Sequence, residues 1–548
     1  MATISTSINT SSNIDMDQPR LVQFNSQLTG ASQGLVATGT NFSWLSFFPI
    51  ALPVRSTDID IFGTGFTYSG SGNARELATG TISRISIDIS NDSGSETRGD
   101  LVITGTEGLI VSNIDKDDPR TFWNEVLKGD DVFLLSGLAA ADIGVSFSTI
   151  FGDDLASDTS PTPGVISDRG GNDTIVGADN NFDFYGDVFD IVGFNSGEFG
   201  FFPAEYDGGN DTILSAITTH HVRMSGDARY VGQSGILHGG DDLLDNSKSA
   251  GGGDTIGDAL RVMQGGVVYG GNDTISTSTP GSSGTLLTGS GDVGAMDDGT
   301  LVGGNDIITA SGGGAYLYGE AVTAGGGGTP SHVTIDGGDD TITGSALNDE
   351  VVGEVGDVSD AIVLLTGGDD RIFGLGGNDR IYGEFGPHDP TVGSLTVSGG
   401  NDLLAGGDGD DVIFGQTGND RLNGGNGKDL IVGGDGRDVM TGGADADKFR
   451  FDGITESAMG TAHDVIRDFT LRVDKIDLRF IDAIPGGSDD AFEFVGTGRF
   501  TDIGQVRVVA SNGNTLVQLN IAAGGGAESE ILLSGVSAAD FRESSFLL

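Results

Sequence analysis

Between Gly399 and Asp447 an aspartate falls on every ninth residue: Asp402, Asp411, Asp420, Asp429, Asp438 and Asp447. Glycines crowd the turn before each one, and an apolar residue follows two places later: Leu404, Ile413, Leu422, Ile431, Met440 and Phe449. Tight turns with unusual backbone angles cost least at glycine. A repeated beat of glycine turn, acid and short strand predicts a coil that stacks on itself, a solenoid. Few other architectures tolerate this spacing.

A looser form of the same pattern precedes the regular block. From Gly170 the word G-G-N/D-D-x-I recurs, as in Gly170–Ile175, Gly208–Ile213, Gly239–Leu244, Gly270–Ile275, Gly303–Ile308, Gly337–Ile342, Gly367–Ile372 and Gly376–Ile381, with the variant Gly251–Ile256. The last two of these place Asp370 and Asp379 in the aspartate position. Inserts separate the words, and several carry a theme of their own: Tyr185–Val188 (YGDV), Tyr318–Val322 (YGEAV), Val352–Val358 (VGEVGDV) and Tyr382–Phe385 (YGEF). The middle therefore reads as a solenoid with longer coils, ending in a compact stretch. Before about residue 163 the signals are β-type without the dense word. Ile85, Ile87 and Ile89 alternate with polar residues, as do Ile59 and Ile61, and glycine, serine and asparagine clusters punctuate them. This part reads as a β-rich domain, either a sandwich or the capping start of the solenoid. Lys128–Gly137 and Phe151–Leu155 read as early, degraded coils. After Phe449 the strand-like segments Gln505–Ala510, Asn514–Ile521 and Glu530–Val536 follow a different rhythm.

Three full matches to G-G-x-G-x-D-x-U-x, Gly406–Phe414 (GGDGDDVIF), Gly424–Val432 (GGNGKDLIV) and Gly433–Thr441 (GGDGRDVMT), carry a resemblance to the RTX, or haemolysin-type calcium-binding, family. The resemblance implies an all-β chain: a parallel β-roll or β-solenoid over 164–447, flanked by a β-rich N-terminal domain over 1–163 and a β-rich C-terminal domain over 448–548. That last part resembles the domain that follows the roll in serralysin-type proteins. In a β-roll successive nonapeptides turn on opposite sides, so Asp411 lies over Asp429 and Asp420 over Asp438, about 4.8 Å apart. Unscreened carboxylates repel at such distances, by about 1 kcal/mol at 4 Å in water and about 4 kcal/mol at an effective dielectric of about 20. The resemblance implies that several Ca²⁺ ions sit between the turns. The implied ligands are Asp370, Asp379, Asp402, Asp411, Asp420, Asp429, Asp438 and Asp447, with turn carbonyls at Gly409, Gly418, Gly427 and Gly436. Calcium takes 6–8 oxygen ligands in flexible geometry, whereas magnesium demands a tight octahedron. Three departures stand out. Leu375 and Gln416 replace the second glycine of their units, and Asp445 replaces the fourth in the last one. The site between Asp429 and Asp447 is therefore expected to be incomplete.

Composition narrows the function classes. Asp and Glu number 80 against 27 Lys and Arg, a formal net charge of -53, which repels nucleic acid and anionic surfaces and attracts cations. With no cysteine there is no thiolate zinc site, disulfide or thiol nucleophile. Glycine is 95 of 548 residues but follows no G-X-Y period, so collagen is excluded. No apolar run reaches the length of about 20 residues that spans a bilayer, and the first twenty residues lack the features of a cleaved signal peptide. The family implies export by a type I secretion apparatus reading an uncleaved C-terminal signal, here Phe541–Leu548 (FRESSFLL). None of the six histidines, His220, His221, His238, His332, His388 and His463, forms the H-E-x-x-H of a zinc protease. Gly30–Gly34 (GASQG) would make Ser32 a nucleophile, but no helix signal follows it. Nine aromatic residues between Phe182 and Tyr206 would either thicken the core or stack on a sugar or partner surface. The expected function is a secreted calcium-binding protein that folds on extracellular calcium, a non-enzymatic surface, matrix or host-interaction protein. The alternative is an extracellular polysaccharide-modifying enzyme with the solenoid as groove.

Overall fold

The computed structural model describes residues 205–548 apart from 216–221, 233–234, 249–252, 279–286, 326–330, 360, 388–393 and 487–489; before 205 it describes 2–7, 34–39, 56–69, 76–89, 99–110, 131–134, 148–151, 167–169, 172–176, 182–186, 188–192, 194–195 and 201–202. Ser32, His220 and His221 lie outside the described residues. The chain divides into two compact units, residues 1–279 with 292–294, and residues 280–291 with 295–548. Both are β-structured, and the described residues contain no α-helix.

In the first unit the expected alternating strands form a long antiparallel pair, Ser56–Ser69 with Glu76–Ile89, in the register Ile59↔Ile87 and Ile61↔Ile85. Gly99–Ile110 adds to it, and Ala2–Ser7 joins that strand antiparallel on one side and Asp131–Leu134 parallel on the other. Asp131–Leu134 in turn pairs in parallel with Thr174–Val176. The antiparallel strands thus continue, bond by bond, into the solenoid, as a capping start would. Of the segments read as degraded coils, the described residues Asp131–Leu134 and Phe151 lie in coil strands: Phe133 stands opposite Ile175, and Phe151 opposite Tyr185.

A long coil contributes four short strands, one to each of four parallel ladders. In the first unit these are exemplified by Thr212–Leu214, Arg223–Ser225, Ala228–Gly232 and Ile236–His238. The next coil repeats them as Leu243–Asn246, Gly253–Ile256, Ala259–Val262 and Gly266–Tyr269. The G-G-N/D-D-x-I word builds the first strand of each set, except that Gly376–Ile381 and the variant Gly251–Ile256 build second-ladder strands. In the second unit the four-ladder coil persists until Phe385 bridges Val355 and Ser394–Ser398 pairs with Ala361–Thr366. Beyond that point the third and fourth ladders stop.

What remains is a two-ladder roll. One ladder runs through Arg371–Gly376, Leu403–Asp408, Arg421–Asn426 and Val439–Ala444; the other runs through Arg380–Tyr382, Val412–Gly418, Leu430–Gly436 and Lys448–Arg450. The predicted apolar residues are the core of this roll. Leu404, Ile413, Leu422, Ile431, Met440 and Phe449 are at most 1% exposed. A strand alternates its faces, so each roll strand points one apolar residue into the core, and Leu430–Gly436 buries Val432 beside Ile431 as well. The tail continues both ladders. Asp464–Ile466 pairs with Val439–Ala444, and Lys475–Asp477 with Lys448–Arg450. An antiparallel sheet of Gln505–Ser511, Asn514–Asn520 and Ser529–Leu533 then docks through Ser529–Leu533 on Asp464–Ile466. Phe546–Leu547 adds to Lys475–Asp477 as the last rung. Of the nine aromatic residues between Phe182 and Tyr206, Tyr206 is fully buried; the side chains of the others fall outside the described residues.

Candidate metal centre

The aspartates of successive coils form columns held by one repeated hydrogen bond. The backbone N–H of each aspartate donates to Oδ1 of the aspartate in the next coil. In the second unit one column runs Asp306, Asp340, Asp370, Asp402, Asp420, Asp438, Asp464, with distances of 2.7 to 3.0 Å. The other runs Asp349, Asp379, Asp411, Asp429, Asp447, Asp474, at 2.8 to 3.1 Å. Sequence separations along the first column are 34, 30 and 32 residues in the long coils and then 18 in the roll, so the inserts change the coil length without breaking the column. All eight aspartates expected from the sequence lie in these two columns. Asp464 and Asp474, which end them, were not expected as members. They stand in the segments DVIRDF and DKIDL, where the glycines that mark a turn are missing.

Each of the eight expected carboxylates therefore has one oxygen satisfied and one left over, whereas Oδ2 of Asp349 and of Asp474 accepts the N–H of Ser345 and of Thr470. Oδ2 of Asp370, Asp379, Asp402, Asp411, Asp420, Asp429, Asp438 and Asp447 is buried and accepts no hydrogen bond. A buried carboxylate oxygen without a partner is costly unless a proton or a cation meets it. The surroundings do not supply the proton donor. A Cβ placed on Gly406 would collide with Asp411 Oδ2 and lie 2.7 Å from the Gly424 carbonyl oxygen. At Gly415 it would lie 2.5 Å from both Asp420 Oδ2 and the Gly433 carbonyl oxygen. Carboxylate and carbonyl oxygens thus converge on the space a side chain would fill. Such an all-oxygen set fits calcium.

The same geometry weakens these acids, driving their pKa values upward. Burial first, with neighbouring carboxylates adding to it, pushes Asp420 up to about 9; Asp402 is the largest of those neighbours. Burial likewise holds Asp379, Asp402, Asp429 and Asp438 up at about 7 and Asp447 at about 6. Asp411 is raised, and Asp370 well above the usual carboxylate range, both mainly by burial. A divalent ion would remove this conflict by replacing the protons.

Backbone conformation accounts for the glycines at the fourth turn position. Gly409, Gly418, Gly427 and Gly436 have φ of 143°, 136°, 134° and 144°, and a Cβ on Gly418 would run into the Gly400 carbonyl oxygen of the coil below. The three departures keep the turn shape at a cost. Leu375 (φ 74°) stands level with Gly407, and Gln416 (φ 70°) with Gly434. Gln416 gains bonds in return: its Oε1 accepts the N–H groups of Glu384 and Phe385 at 2.8 and 2.9 Å, and its Nε2 donates to the Phe385 carbonyl at 2.9 Å. Asp445 adopts φ 79° itself. The Asp447 turn consequently keeps the column bond from Asp429 at 3.0 Å.

The fifth turn position has a job that the sequence pattern alone did not reveal. Its asparagine or aspartate accepts the N–H of the fifth residue in the following coil, the reverse direction of the aspartate columns. Asp369 N–H donates to Asp339 Oδ1, Asn401 to Asp369, Asn419 to Asn401 and Arg437 to Asn419. On the other side Asn378 donates to Asn348, Asp410 to Asn378 and Lys428 to Asp410. This is why N or D precedes the aspartate in nearly every word.

Residues 364–386, 396–431 and 423–453 match the family model described as the RTX calcium-binding nonapeptide repeat, in four copies. The chain belongs to the RTX repeat family. RTX repeats bind calcium, and these matched segments contain all eight expected aspartates. The chain is also similar to two solved structures, the solution structures of the AlgE6R3 and AlgE6R2 subunits of the Azotobacter vinelandii mannuronan C5-epimerase. Identity is 30% and 29%, over 27% of this chain and 79% and 88% of those chains, with TM-scores of 0.21 and 0.20. No curated protein sequence matches this RTX chain. No helix among its described residues is long and apolar enough to cross a membrane.

Proposed function

We propose that this RTX chain is an exported protein whose roll closes when calcium meets the two aspartate columns, with the unpartnered Oδ2 atoms and the adjoining glycine carbonyls as ligands. The observation that carries the reading is the set of eight buried carboxylates, each with one oxygen satisfied and one unpartnered, the unpartnered oxygen converging with a glycine carbonyl at Asp370, Asp379, Asp402, Asp411, Asp420 and Asp429. Inside a cell calcium is scarce, and the columns repel. Outside, millimolar calcium matches the affinity of about 10⁻⁴–10⁻³ M typical of extracellular modules. Metal binding and folding are then one event.

The C-terminal segment supports the export part of the proposal. Phe541 and Phe546 are buried, Phe541 stacks on Phe469 at 5.8 Å, and Phe546–Leu547 is a rung of the roll ladder. A signal in this segment is legible only before the roll closes, which ties recognition by a type I apparatus to the calcium-free state. Residues 448–548 act in this reading as the serralysin-like export and end domain. After export the folded protein serves as a surface or matrix component, with a polysaccharide or cell surface as partner.

Far-UV circular dichroism of the full chain, from chelator to about 10 mM calcium with a magnesium control, tests the folding claim. A cooperative gain of β signal with calcium alone is expected, and a β spectrum indifferent to calcium would overturn it. Removing residues 491–548 is expected to trap the protein inside the producing cell; undiminished export of that truncation would refute the signal assignment. Incubation with polysaccharide is expected to give retention without new reducing or unsaturated ends.

A further inference from the structure

The long coils carry a second acidic row that the nonapeptide does not have. Pairing of Tyr382 with Phe414 sets Gly383 level with Gly415, and Glu384 level with Gln416. Gly383 and Glu384 are thus the first two positions of a nonapeptide turn whose remaining positions are Gly399, Gly400, Asn401 and Asp402. Residues 385–398 leave and return between them. In each split turn the second position is acidic: Asp227, Asp258, Asp292, Glu320, Glu354 and Glu384. Once the inserts end, the same ladder carries Gln416 and then Gly434. All six acids are at most 1% exposed. A solubilising acid would face water.

Glu354 shows what the position does. Its Oε1 accepts the Gly368 N–H at 2.6 Å, and its Oε2 is buried without a hydrogen-bond partner. Asp340 and Asp370, from consecutive coils, each leave Oδ2 in the same condition. A Cβ on Gly353 would collide with Asp370 Oδ2 and the Gly383 carbonyl oxygen, and one on Gly337 with Glu354 Oε2. Burial and the neighbouring Asp370 and Glu320 carboxylates raise Glu354 well above the usual range. The first unit repeats the arrangement with aspartate. Carboxylate oxygens of Asp211, Asp227 and Asp242 lie within 4.8 Å of one another, as do those of Asp242, Asp258 and Asp273. Asp242 belongs to both groups. Its Oδ1 accepts the Asp211 N–H at 2.7 Å, and its buried Oδ2 accepts nothing.

We propose that each split turn is a second class of divalent-cation site, in which the acid at the second turn position joins the aspartates of two successive coils in a three-carboxylate oxygen cage. The cage takes calcium, since three carboxylates and turn carbonyls form a hard, flexible oxygen set. It carries one more charge than the roll sites and fills at lower calcium, because ligand charge tunes affinity. The inserts are what make room for it: they part the turn so that a further acidic side chain, aspartate or glutamate, reaches the column. The inference rests on the calcium reading of the roll and extends it to the coils before residue 398.

The rival is a shared proton on each cluster. Equilibrium dialysis of the full chain against saturating calcium, with elemental counting of bound ions, separates the two. Relative to wild type, Glu354→Gln is expected to lose about one ion, and Asp242→Asn about two because it bridges two groups. Asp420→Asn serves as the roll control. If Asp420→Asn loses ions while Glu354→Gln and Asp242→Asn keep the full count, the split-turn sites do not exist but the roll reading stands. If none of the three loses an ion, the roll reading falls too. A second measurement needs no destabilising change. The last tyrosine is Tyr382, and the last tryptophan is Trp123, so the nonapeptides from Gly399 onward hold no antenna of their own. Tyr318 and Tyr382, in contrast, each lie two residues before a split-turn glutamate. Terbium added to the full chain is expected to show tyrosine-sensitised emission that falls several-fold in a Tyr318→Phe, Tyr382→Phe double variant at unchanged terbium stoichiometry. Emission that the double variant leaves untouched would overturn the proposal.

Discussion

At the scale of the residue, each turn aspartate divides its two oxygens between structure and ligand. Oδ1 holds the preceding coil through a backbone N–H; Oδ2 waits for charge. This division gives the calcium-free protein an unusual pH dependence. Asp402, Asp429 and Asp438 sit at about 7 and Asp420 at about 9, against an unfolded carboxylate near 4. Between those values the fold binds more protons than the unfolded chain. The stability from these groups is therefore complete below about pH 4 and is lost as pH rises through about 7 to 9. Thermal melts in chelator are expected to show a higher midpoint at pH 5 than at pH 8, and calcium should reverse that order because it binds the deprotonated columns. A second expectation concerns Leu375, which is 55% exposed and left-handed at φ 74°. Leu375→Gly should stabilise the calcium-loaded protein by about 1 kcal/mol, read as a rise in melting temperature. Gln416→Gly should not, since it gives up three bonds to Glu384 and Phe385. The eight aspartates were legible in the sequence because a fixed beat and a glycine turn mark them. Glu354 and its counterparts were visible as a recurring YGE or VGE theme, but their role was not. An insert of variable length separates them from the aspartates they meet, and spacing cannot reveal contacts across such an insert.

At the scale of the element, the roll is a two-stroke device. One nonapeptide adds a rung to one ladder and the next adds a rung to the other, so the true period is the 18-residue coil. Deleting residues 412–429 removes one whole coil and leaves Asp411 in the place of Asp429. That protein is expected to keep its cooperative calcium transition by circular dichroism. Deleting residues 412–420 removes half a coil and sends every later strand to the opposite ladder. Asp464–Ile466 and Lys475–Asp477 would then meet the wrong partners, and the transition is expected to broaden or vanish. Equal behaviour of the two deletions would contradict this register. The regular strands could be read from sequence because one apolar residue per nonapeptide is all the core requires. The second, third and fourth strands of the long coils could not. They are mostly three to five residues long, as in Arg223–Ser225 and Ala228–Gly232, too short for alternation to stand out from the glycine background.

At the scale of the whole molecule, the solenoid units are one-dimensional stacks, stabilised by contacts between adjacent coils. The sequence showed where the regular stack begins and ends but not how its ends are finished. At the C-terminal side Lys428 and Arg437 occupy the fifth turn position and carry no acceptor, which closes the outer columns. Asp464 and Asp474 satisfy the last aspartate N–H groups, and residues 448–548 occupy the final rungs. In the first unit the antiparallel strands of residues 56–110 lead into that unit's own ladders through Ala2–Ser7 and Asp131–Leu134. The two directions of column bonding have a consequence for polymer growth. A stack whose faces donate at one end and accept at the other can add a second copy head to tail, as a monomer adds to a filament. The flanking domains are then terminators of polymerisation as much as parts of the fold. A fragment of residues 364–447, with neither flank, is expected to grow into filaments under electron microscopy when calcium is added and to disperse in chelator. The full chain should stay at fixed size in both conditions.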